Sequence, residues 1–337
     1  MSKIVDVAAA VLLRQGAQGS EFLLAQRPSG KVYAGYWEFP GGKLELGETW
    51  RQALVRELDE ELGITLTADD AVLPWLCKTF SYPHATVRLK FFRVTSWSGS
   101  LQAREKQAFA WTRLGEASRV APILPANDSI LRALELPTVY AITQASERGV
   151  SAELARLSAA LAQGLKLIQL REKGLGATEL LHFATEVKKR VGAYPDARLL
   201  INDDETLAHQ LGAHGVHLSA TRLLRTQQRP DFAWVAASCH NEAELAHAAA
   251  LGLDFVVLGA VCPTPTHAQA SGIGWPAFAQ LIESSPLPVF ALGGMRREDL
   301  ATAQTQGAHG IAMMRGWGDQ AAGRTAAAAA AAESVNT

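Results

Sequence analysis

Three glutamates in the first third of the chain have a spacing that suits a divalent cation. Glu57, Glu60 and Glu61 stand at i, i+3 and i+4, so on a helix their carboxylates share one face. Like charges this close repel one another, and oxygen ligands without a neighbouring Cys or His select Mg²⁺ or Mn²⁺. Arg56 is suited to orient a carboxylate through paired hydrogen bonds. The spacing predicts a metal site, with a solvated acidic helix face as the alternative.

These glutamates belong to a longer pattern of fixed spacing, which comprises Gly42, Glu48, Arg56, Glu57, Glu60, Glu61 and Gly63. The pattern resembles the Nudix box. With Glu38-Phe39-Pro40-Gly41-Gly42-Lys43 ahead of it, the region from about residue 4 to residue 135 resembles the MutT branch, the 8-oxo-dGTP diphosphatases. The resemblance implies that bound Mg²⁺ or Mn²⁺ supports hydrolysis of a nucleoside triphosphate to a monophosphate and pyrophosphate.

The resemblance also implies roles for individual residues. The metal ligands it implies are Gly41, Glu57, Glu60, Glu61 and Glu105, and the catalytic residues are Glu57, Glu60, Arg56 and Glu105. The substrate contacts it implies are Arg27, Phe39, Tyr82 and Asn127. Glu105 could equally be a plain surface glutamate, and Tyr82 a core or rim aromatic instead of a ring that stacks on the base.

Asn127, in Leu124-Pro125-Ala126-Asn127, resembles the residue with which the family reads a purine. The N7 atom of guanine only accepts a hydrogen bond, whereas in 8-oxoguanine this nitrogen carries a hydrogen and donates. The Asn127 amide could accept from that N–H and donate to O6. Its alternative role is the N-cap of the following helix.

The elements that carry this first site form an α+β pattern. Strand-like runs occupy Val5–Leu13, Glu21–Gln26 and Ala85–Thr95, and helical patterns occupy Thr49–Leu62 and Asp128–Leu134. Pro137 prevents continuation of the last helix. We therefore expect residues 1–136 to form a Nudix domain with a mixed sheet between helices.

Eight apolar strand-like runs alternate with helical stretches in the rest of the chain: Val139–Thr143, Leu167–Leu170, Leu199–Asn202, Gly215–Leu218, Trp234–Ser238, Phe255–Gly259, Val289–Gly293 and Gly310–Met314. This pattern predicts a (β/α)8 TIM barrel over residues 137–320, with its chemistry at the carboxyl ends of the strands. A doubly wound sheet is disfavoured because no glycine-rich phosphate turn follows Thr143. Residues 321–337 read as an Ala-rich tail.

The barrel region resembles thiamine phosphate synthase and its relative TenI. The resemblance implies that pyrimidine pyrophosphate or thiazole phosphate binds at the mouth, on Gln169, Arg171, Lys173, Asn202, Thr264, Thr266, Gly293 and Gly294, and that Asp203 binds Mg²⁺. The pattern departs from the synthase at Ser219-Ala220-Thr221-Arg222, where the synthase carries a second acidic metal ligand. His267 stands where a basic residue is expected. Because Mg²⁺ stabilises the departing pyrophosphate, we expect synthase activity to be impaired.

Composition narrows the choice of partners. Lys plus Arg total 32 against 33 for Asp plus Glu, so the net charge of −1 leaves no positive excess to bind polymeric nucleic acid. The three cysteines have no paired spacing, which argues against disulfides and zinc and fits a reducing cytoplasm. No apolar run approaches the roughly 18 residues that a membrane helix needs. We expect a cytoplasmic protein that acts on small molecules.

Three functional hypotheses follow, and one of them makes the barrel a binding or regulatory module that senses thiazole phosphate. The leading prediction is a hydrolase that removes oxidised dGTP from the nucleotide pool and carries a synthase-like barrel that binds a phosphorylated ligand weakly or serves as a scaffold. The alternative is a bifunctional thiamine-pathway enzyme, with an active synthase and a Nudix domain that hydrolyses thiamine-type or pyrimidine diphosphates.

Overall fold

The computed structural model of this 337-residue chain describes residues 4–68, 71–83, 85–105, 107–116, 118–263 and 272–318. They form a mixed β-sheet flanked by two helices, followed by a closed eight-stranded parallel barrel. This architecture confirms the predicted fold class. No helix in these described ranges combines the length and apolar character needed to cross a bilayer.

The N-terminal sheet has seven strands: β1 (Ile4–Gly16), β2 (Gly19–Gln26), β3 (Trp37–Glu38), β4 (Gly41–Lys43), β5 (Val72–Tyr82), β6 (Ala85–Val94) and β7 (Phe109–Arg113). Its order is β3-β2-β1-β6-β5, with β4 paired to β1 and β7 paired to β2. Strands β1 and β6 are parallel, and the other pairs are antiparallel. Two helices complete this half, α1 (Trp50–Leu62) and α2 (Asp128–Leu134), with a 3-10 turn at Pro125–Asn127.

Alternation along β1 explains why the sheet lies between the two helices. Ala8, Ala10 and Leu12 face the cluster that contains the apolar side of α1, whereas Ala9 and Val11 face the cluster that contains α2. Because successive side chains of a strand point to opposite faces, one apolar strand supplies both cores. The sheet is thereby buried on both sides.

The barrel strands are β8 (Val139–Ile142), β9 (Leu167–Leu170), β10 (Arg198–Asn202), β11 (Gly215–Leu218), β12 (Trp234–Cys239), β13 (Phe255–Gly259), β14 (Val289–Leu292) and β15 (Gly310–Met313). The helices between them are α3 (Ala145–Arg148), α4 (Val150–Ala162), α5 (Ala177–Gly192), α6 (Glu205–Leu211), α7 (Ala220–Arg225), α8 (Glu242–Ala250), α9 (Gly274–Ile282) and α10 (Leu300–Thr305). Each strand pairs in parallel with its neighbours, and β15 closes the barrel against β8. Tyr140, Phe255 and Phe290 help to fill the interior.

The two halves of the chain are docked through buried polar contacts. Arg93 on β6 donates to the carbonyl oxygens of Ala308 and His309 at 2.8 and 3.1 Å, and Trp75 on β5 donates its indole N–H to Nδ1 of His309 at 3.2 Å. On the other side of the junction, the Arg132 guanidinium lies 3.3 Å from the ring centroid of Trp234. The barrel partners in these contacts precede or begin their strands, so the sheet domain covers the amino-terminal face of the barrel.

The sequence prediction missed four strands, β3, β4, β5 and β7. Two of them, β3 and β4, have only two and three residues. Strand β5 contains Pro74 and a shift of register between Pro74 and Cys77, which interrupts the alternation that would have revealed it. The predicted helix over Thr49–Leu62 is α1, with Thr49 as its N-cap.

Candidate functional site

The local sequence explains how α1 presents its glutamates. Thr49 and Gln52 form a capping box at its start, and Gly63 ends it with a φ of 67°, a conformation that favours glycine. Ala53, Leu54, Leu58 and Leu62 are buried against the sheet, so the helix has a fixed rotation. The glutamates lie outside this apolar stripe and face β4 and the surrounding loops.

Arg56 holds three carboxylates together. Its Nε and Nη2 donate to Glu48 at 2.9 and 3.0 Å, and its Nη1 donates to Glu57 at 2.9 Å and to Glu60 at 3.2 Å. The hydrogen bonds from Arg56 lower the pKa of Glu48 to about 2. Arg56 therefore orients Glu57 and Glu60, the role that sequence reasoning expected of it.

Two glycines on β4 let the carboxylates of Glu57 and Glu61 approach the backbone. The Gly41 N–H donates to Oε2 of Glu61 at 3.1 Å. A Cβ at Gly42 would lie 2.0 Å from Oε1 of Glu57, and a Cβ at Gly41 would lie 2.1 Å from the carbonyl oxygen of Ala8. Larger residues would push the carboxylates or the strand away, so this packing requires glycine at both positions.

Glu105 joins this cluster from a distant loop. Its Oε2 accepts from Nζ of Lys31 at 2.8 Å. Burial raises the pKa of Glu61 to about 7; the nearby charge of Lys31 lowers it, and those of Glu57 and Glu105 raise it further. The structure thus brings together Gly41, Glu57, Glu60, Glu61 and Glu105, the residues predicted as metal ligands.

The donor set of this cluster suits a hard divalent ion. Among the side chains that the structure describes, five carboxylates, those of Glu48, Glu57, Glu60, Glu61 and Glu105, face two pairing cations, Arg56 and Lys31. The excess negative charge and the all-oxygen donors fit Mg²⁺ or Mn²⁺. Within the described ranges, no three acidic, His or Cys side chains are already arranged around one point as metal ligands, since several of these oxygens are paired with Arg56 and Lys31.

A second group of predicted residues lies beside β3. Arg27 donates to Oε1 of Glu38, and burial raises the pKa of that carboxyl. The Tyr82 ring contacts Tyr33 and Phe80, with centroid separations of 5.6 and 4.7 Å. These half-buried rings form an aromatic surface close to Arg27, a suitable platform for a nucleobase. The sequence reasoning did not single out Tyr33 or Glu38.

Phe39 lies in the core and not on this surface. It is 4% exposed, and its ring lies 5.9 Å from that of Phe22 and 6.0 Å from that of Phe91. The side chain therefore supports the strand that carries Glu38. Direct contact between Phe39 and substrate stays a prediction.

Asn127 is buried without the hydrogen bonds expected of a helix cap. Its side chain is 3% exposed and makes no cap hydrogen bond to α2, and its Nδ2 has no partner among the described residues. A buried amide donor left unpaired costs about 1–3 kcal/mol. Backbone bonds between Trp37 and both Pro122 and Leu124 place this segment next to β3. An unsatisfied donor at this position is consistent with a ligand contact.

The barrel interior contains a buried polar chain. Gln169 donates to the Tyr140 hydroxyl at 3.2 Å, that hydroxyl bonds to Nδ1 of His217 at 3.2 Å, and Nε2 of His217 bonds to Oγ of Ser238 at 2.8 Å. Burial lowers the pKa of His217 to about 3. Gln169 was predicted as a ligand contact, and the structure directs it to Tyr140. The other three residues were not predicted as site residues.

Other predicted barrel residues lie at the mouth of the barrel, where the strands end at their carboxyl side. Arg171 follows β9, and its backbone N–H donates to Thr143 at 3.0 Å, while Lys173 is exposed. Gly293 and Gly294 follow β14 with φ values of 101° and 68°. A Cβ at Gly293 would lie 2.6 Å from Ala260, so the chain passes closely here. The predicted phosphate contacts Thr264 and Thr266 lie outside the described residues.

Asp203 follows β10, and both of its carboxylate oxygens accept hydrogen bonds within the protein. Its Oδ1 accepts from the Ser219 N–H at 2.7 Å and its Oδ2 accepts from Nδ2 of Asn202 at 3.2 Å. Ser219 caps α7, and Arg222 pairs with Glu205 at 2.9 Å. No set of three candidate metal ligands occurs in the described part of the barrel. No second acidic residue stands at Ser219-Ala220-Thr221-Arg222, and the role of Mg²⁺ ligand implied for Asp203 stays a prediction.

Comparisons with known proteins agree with these two halves. A model of the NUDIX domain matches residues 5–134, and a model of the thiamine monophosphate synthase family, TMP-TENI, matches residues 139–317. The chain belongs to both families. Its N-terminal half is a Nudix hydrolase domain, and its barrel is a thiamine phosphate synthase-like domain.

Individual relatives match one half each. The CTP pyrophosphohydrolase of Escherichia coli is 41% identical over 131 residues, which cover 39% of this chain and 91% of that protein. The 8-oxo-dGTP diphosphatase of Proteus vulgaris is 46% identical over 82 residues, covering 24% of this chain and 70% of that protein. The thiamine-phosphate synthase of Thioalkalivibrio sulfidiphilus is 31% identical over 182 residues, covering 53% of this chain and 86% of that protein.

Proposed function

We propose that the Nudix domain is a Mg²⁺-dependent pyrophosphohydrolase of oxidised purine nucleoside triphosphates, with 8-oxo-dGTP as its substrate. Water adds to a phosphorus atom of the triphosphate and the bridging P–O bond breaks, so one nucleotide and one water yield 8-oxo-dGMP and pyrophosphate. A bound divalent ion neutralises phosphate charge and lowers the pKa of water. Candidate ligands for that ion are Gly41, Glu57, Glu60, Glu61 and Glu105.

The protein's own side chains have distinct parts in this proposal. Arg56 orients Glu57 and Glu60 by hydrogen bonds of 2.9 and 3.2 Å. Arg27, beside β3, is placed to meet a phosphate or the base, and Tyr82 offers a ring on which the base stacks. These contacts position the nucleotide between the aromatic surface and the carboxylate cluster.

The observation that carries the choice of base is the unpaired amide of Asn127. Its buried Nδ2 has no partner among the described residues, and the side chain does not cap α2. On binding 8-oxoguanine, Nδ2 donates to O6 and Oδ1 accepts from the N7 hydrogen. Guanine lacks that hydrogen, so a site that pairs with it selects the oxidised base.

The similarity to the E. coli CTP pyrophosphohydrolase favours a second candidate, a pyrimidine nucleoside triphosphate. The test is a substrate panel with purified full-length protein and Mg²⁺, comparing kcat/KM for 8-oxo-dGTP, dGTP, CTP and thiamine diphosphate. Pyrophosphate release with 8-oxo-dGTP preferred over dGTP supports the proposal. Preference for CTP or thiamine diphosphate refutes it.

For the barrel, we infer binding of a phosphorylated ligand without synthase catalysis. Gly293 and Gly294 offer backbone donors that need no metal, whereas Asp203 has no second acidic residue at positions 219–222 to complete a metal site of the synthase type. Departure of pyrophosphate in the synthase reaction would lack metal stabilisation. Thiazole phosphate is the first ligand to test.

A further inference from the structure

A loop between β2 and β3, residues 28–35, reaches towards the carboxylate cluster. Its base is closed by hydrogen bonds from the Gly35 N–H to the Arg27 carbonyl at 3.0 Å and from the Arg27 N–H to the Tyr36 carbonyl at 2.8 Å. The Arg27 side chain also donates to the Val32 carbonyl at 2.7 Å, inside the loop. The loop is thus held at its ends, and Lys31 extends from it.

The ammonium of Lys31 pairs with a carboxylate from a different part of the chain. Its Nζ lies 2.8 Å from Oε2 of Glu105, which is 74 residues away in sequence. Lys31 and Glu105 also lie within electrostatic range of Glu61, the half-buried carboxylate bound to Gly41. Lys31 therefore lies beside Glu61 and Glu105, whereas Arg56 bonds to the other three carboxylates.

Arg56 and Lys31 divide the cluster between them. Arg56 bonds to Glu48, Glu57 and Glu60, and its hydrogen bonds within the described part of the chain do not reach Glu105. An exposed Lys–Glu pair ordinarily contributes little to stability. Here the lysine also offsets the charge of Glu61, which would otherwise face Glu57 and Glu105 with no nearby cation of its own among the described side chains.

We propose that Lys31 is the resident counter-cation of Glu61 and Glu105, and that it competes with a divalent ion for these two carboxylates. This inference rests on the metal dependence in the proposed function. An ion that binds close to Oε2 of Glu105 is repelled by the Lys31 ammonium, 2.8 Å from that oxygen, so metal binding favours separation of Nζ from Glu105. Lys31 thereby sets the metal concentration that the enzyme requires, and metal entry releases the 28–35 loop from the cluster.

The aromatic surface gives this competition a further consequence. Tyr33 belongs to the same loop as Lys31 and contacts the rings of Tyr36 and Tyr82 at 5.3 and 5.6 Å. When Lys31 separates from Glu105, the loop that carries Tyr33 loses one of the contacts that hold it in place. Metal entry and base binding are therefore connected through one short loop.

The test measures Mn²⁺ binding to the full-length protein without nucleotide, by electron paramagnetic resonance of the free ion. Lys31→Met should lower the Kd for Mn²⁺ by roughly three- to tenfold, since a competing cation is removed. Lys31→Arg keeps the charge and should bind Mn²⁺ as the wild type does. Lys166→Met is the matched control, because Lys166 is similarly exposed and pairs with Asp196 at 3.2 Å in the barrel. Its Kd should not change.

Each contrary result overturns the inference. An unchanged or higher Kd in Lys31→Met, or an equal decrease in Lys166→Met, would show that Lys31 does not compete locally. If the wild type binds no Mn²⁺, both this inference and the metal dependence fail. If Mn²⁺ binds and Lys31→Met behaves as expected but nucleotides are not hydrolysed, only the proposed function fails. As a second readout, half-maximal activation by Mg²⁺ should shift to lower concentration in Lys31→Met.

Discussion

Replacing Asn127 by alanine distinguishes base recognition from helix capping, because the two roles predict opposite combinations of stability and selectivity. The Asn127 side chain is 3% exposed and its Nδ2 has no partner among the described residues. Removing an unpaired buried donor relieves a penalty of about 1–3 kcal/mol and leaves a small cavity that offsets part of the gain. The free energy of unfolding should therefore stay unchanged or rise slightly.

The selectivity for 8-oxo-dGTP over dGTP should fall in the same variant. The two hydrogen bonds proposed between the Asn127 amide and 8-oxoguanine correspond to about 1–3 kcal/mol of discrimination. The ratio of kcat/KM for 8-oxo-dGTP over dGTP should accordingly fall by about 5- to 150-fold in Asn127→Ala. The assay is pyrophosphate release at matched protein and Mg²⁺ concentrations, combined with urea denaturation of the same preparations.

Asn241 supplies a matched control, since its side chain accepts from the Glu244 N–H at 2.9 Å and caps α8. Asn241→Ala should lower the free energy of unfolding by about 1 kcal/mol and leave the substrate ratio unchanged. If Asn127→Ala instead loses stability as Asn241→Ala does and keeps the wild-type substrate ratio, Asn127 has no part in reading the base.

Three further predictions concern catalysis, pH and the barrel. Glu57→Gln and Glu60→Gln should each lower turnover at least about a hundredfold. The control Glu116→Gln, which removes an exposed ion pair with Arg113, should leave turnover unchanged. Near-normal rates in the first two variants would contradict the metal site. Burial lowers the pKa of His217 and His309 from 6.5 to about 3, so stability should be full above pH 6.5 and fall by up to about 1.4 kcal/mol per pH unit for each histidine as the pH drops towards 3. Urea denaturation at pH 7 and pH 5 measures this change, and equal stabilities would refute it. The full-length protein should bind thiazole phosphate in a calorimeter equally with Mg²⁺ or EDTA and should not support growth of a synthase-null strain; growth would show an active synthase.

The sequence identified those site residues that lie close to one another along the chain. Glu57, Glu60 and Glu61 lie within two turns of one helix, so their common face follows from the helical period alone. Lys31 reaches Glu105 across 74 residues, and nothing in either local sequence indicates that pairing. The polar chain through Tyr140 and His217 was hidden for the same reason, because separate barrel strands bring its members together.

The docking of the two domains could not be predicted from the sequence either. Trp75 and Arg93 read as ordinary members of strands in the N-terminal sheet, yet they bond to residues more than 200 positions away. Trp75 lies on β5, the strand whose Pro74 obscured its pattern. Arg93 donates to backbone carbonyls and not to a carboxylate. No acidic residue in the sequence could therefore have indicated its partner.

This docking separates the two candidate sites. The Nudix domain contacts the barrel through His309, Ser285 and Trp234, which precede or begin their strands, whereas Asp203 and Gly293 follow theirs. In a (β/α)8 barrel the first face serves stability and the second carries the chemistry. The barrel mouth therefore opens away from the Nudix domain, and a product of one site reaches the other through solution and not through a shared cavity. Any coupling between the sites has to pass through this interface, whose contacts include those of Trp75 and Arg93 with the segment at His309 and that of Arg132 with Trp234, or through the chain that joins the domains.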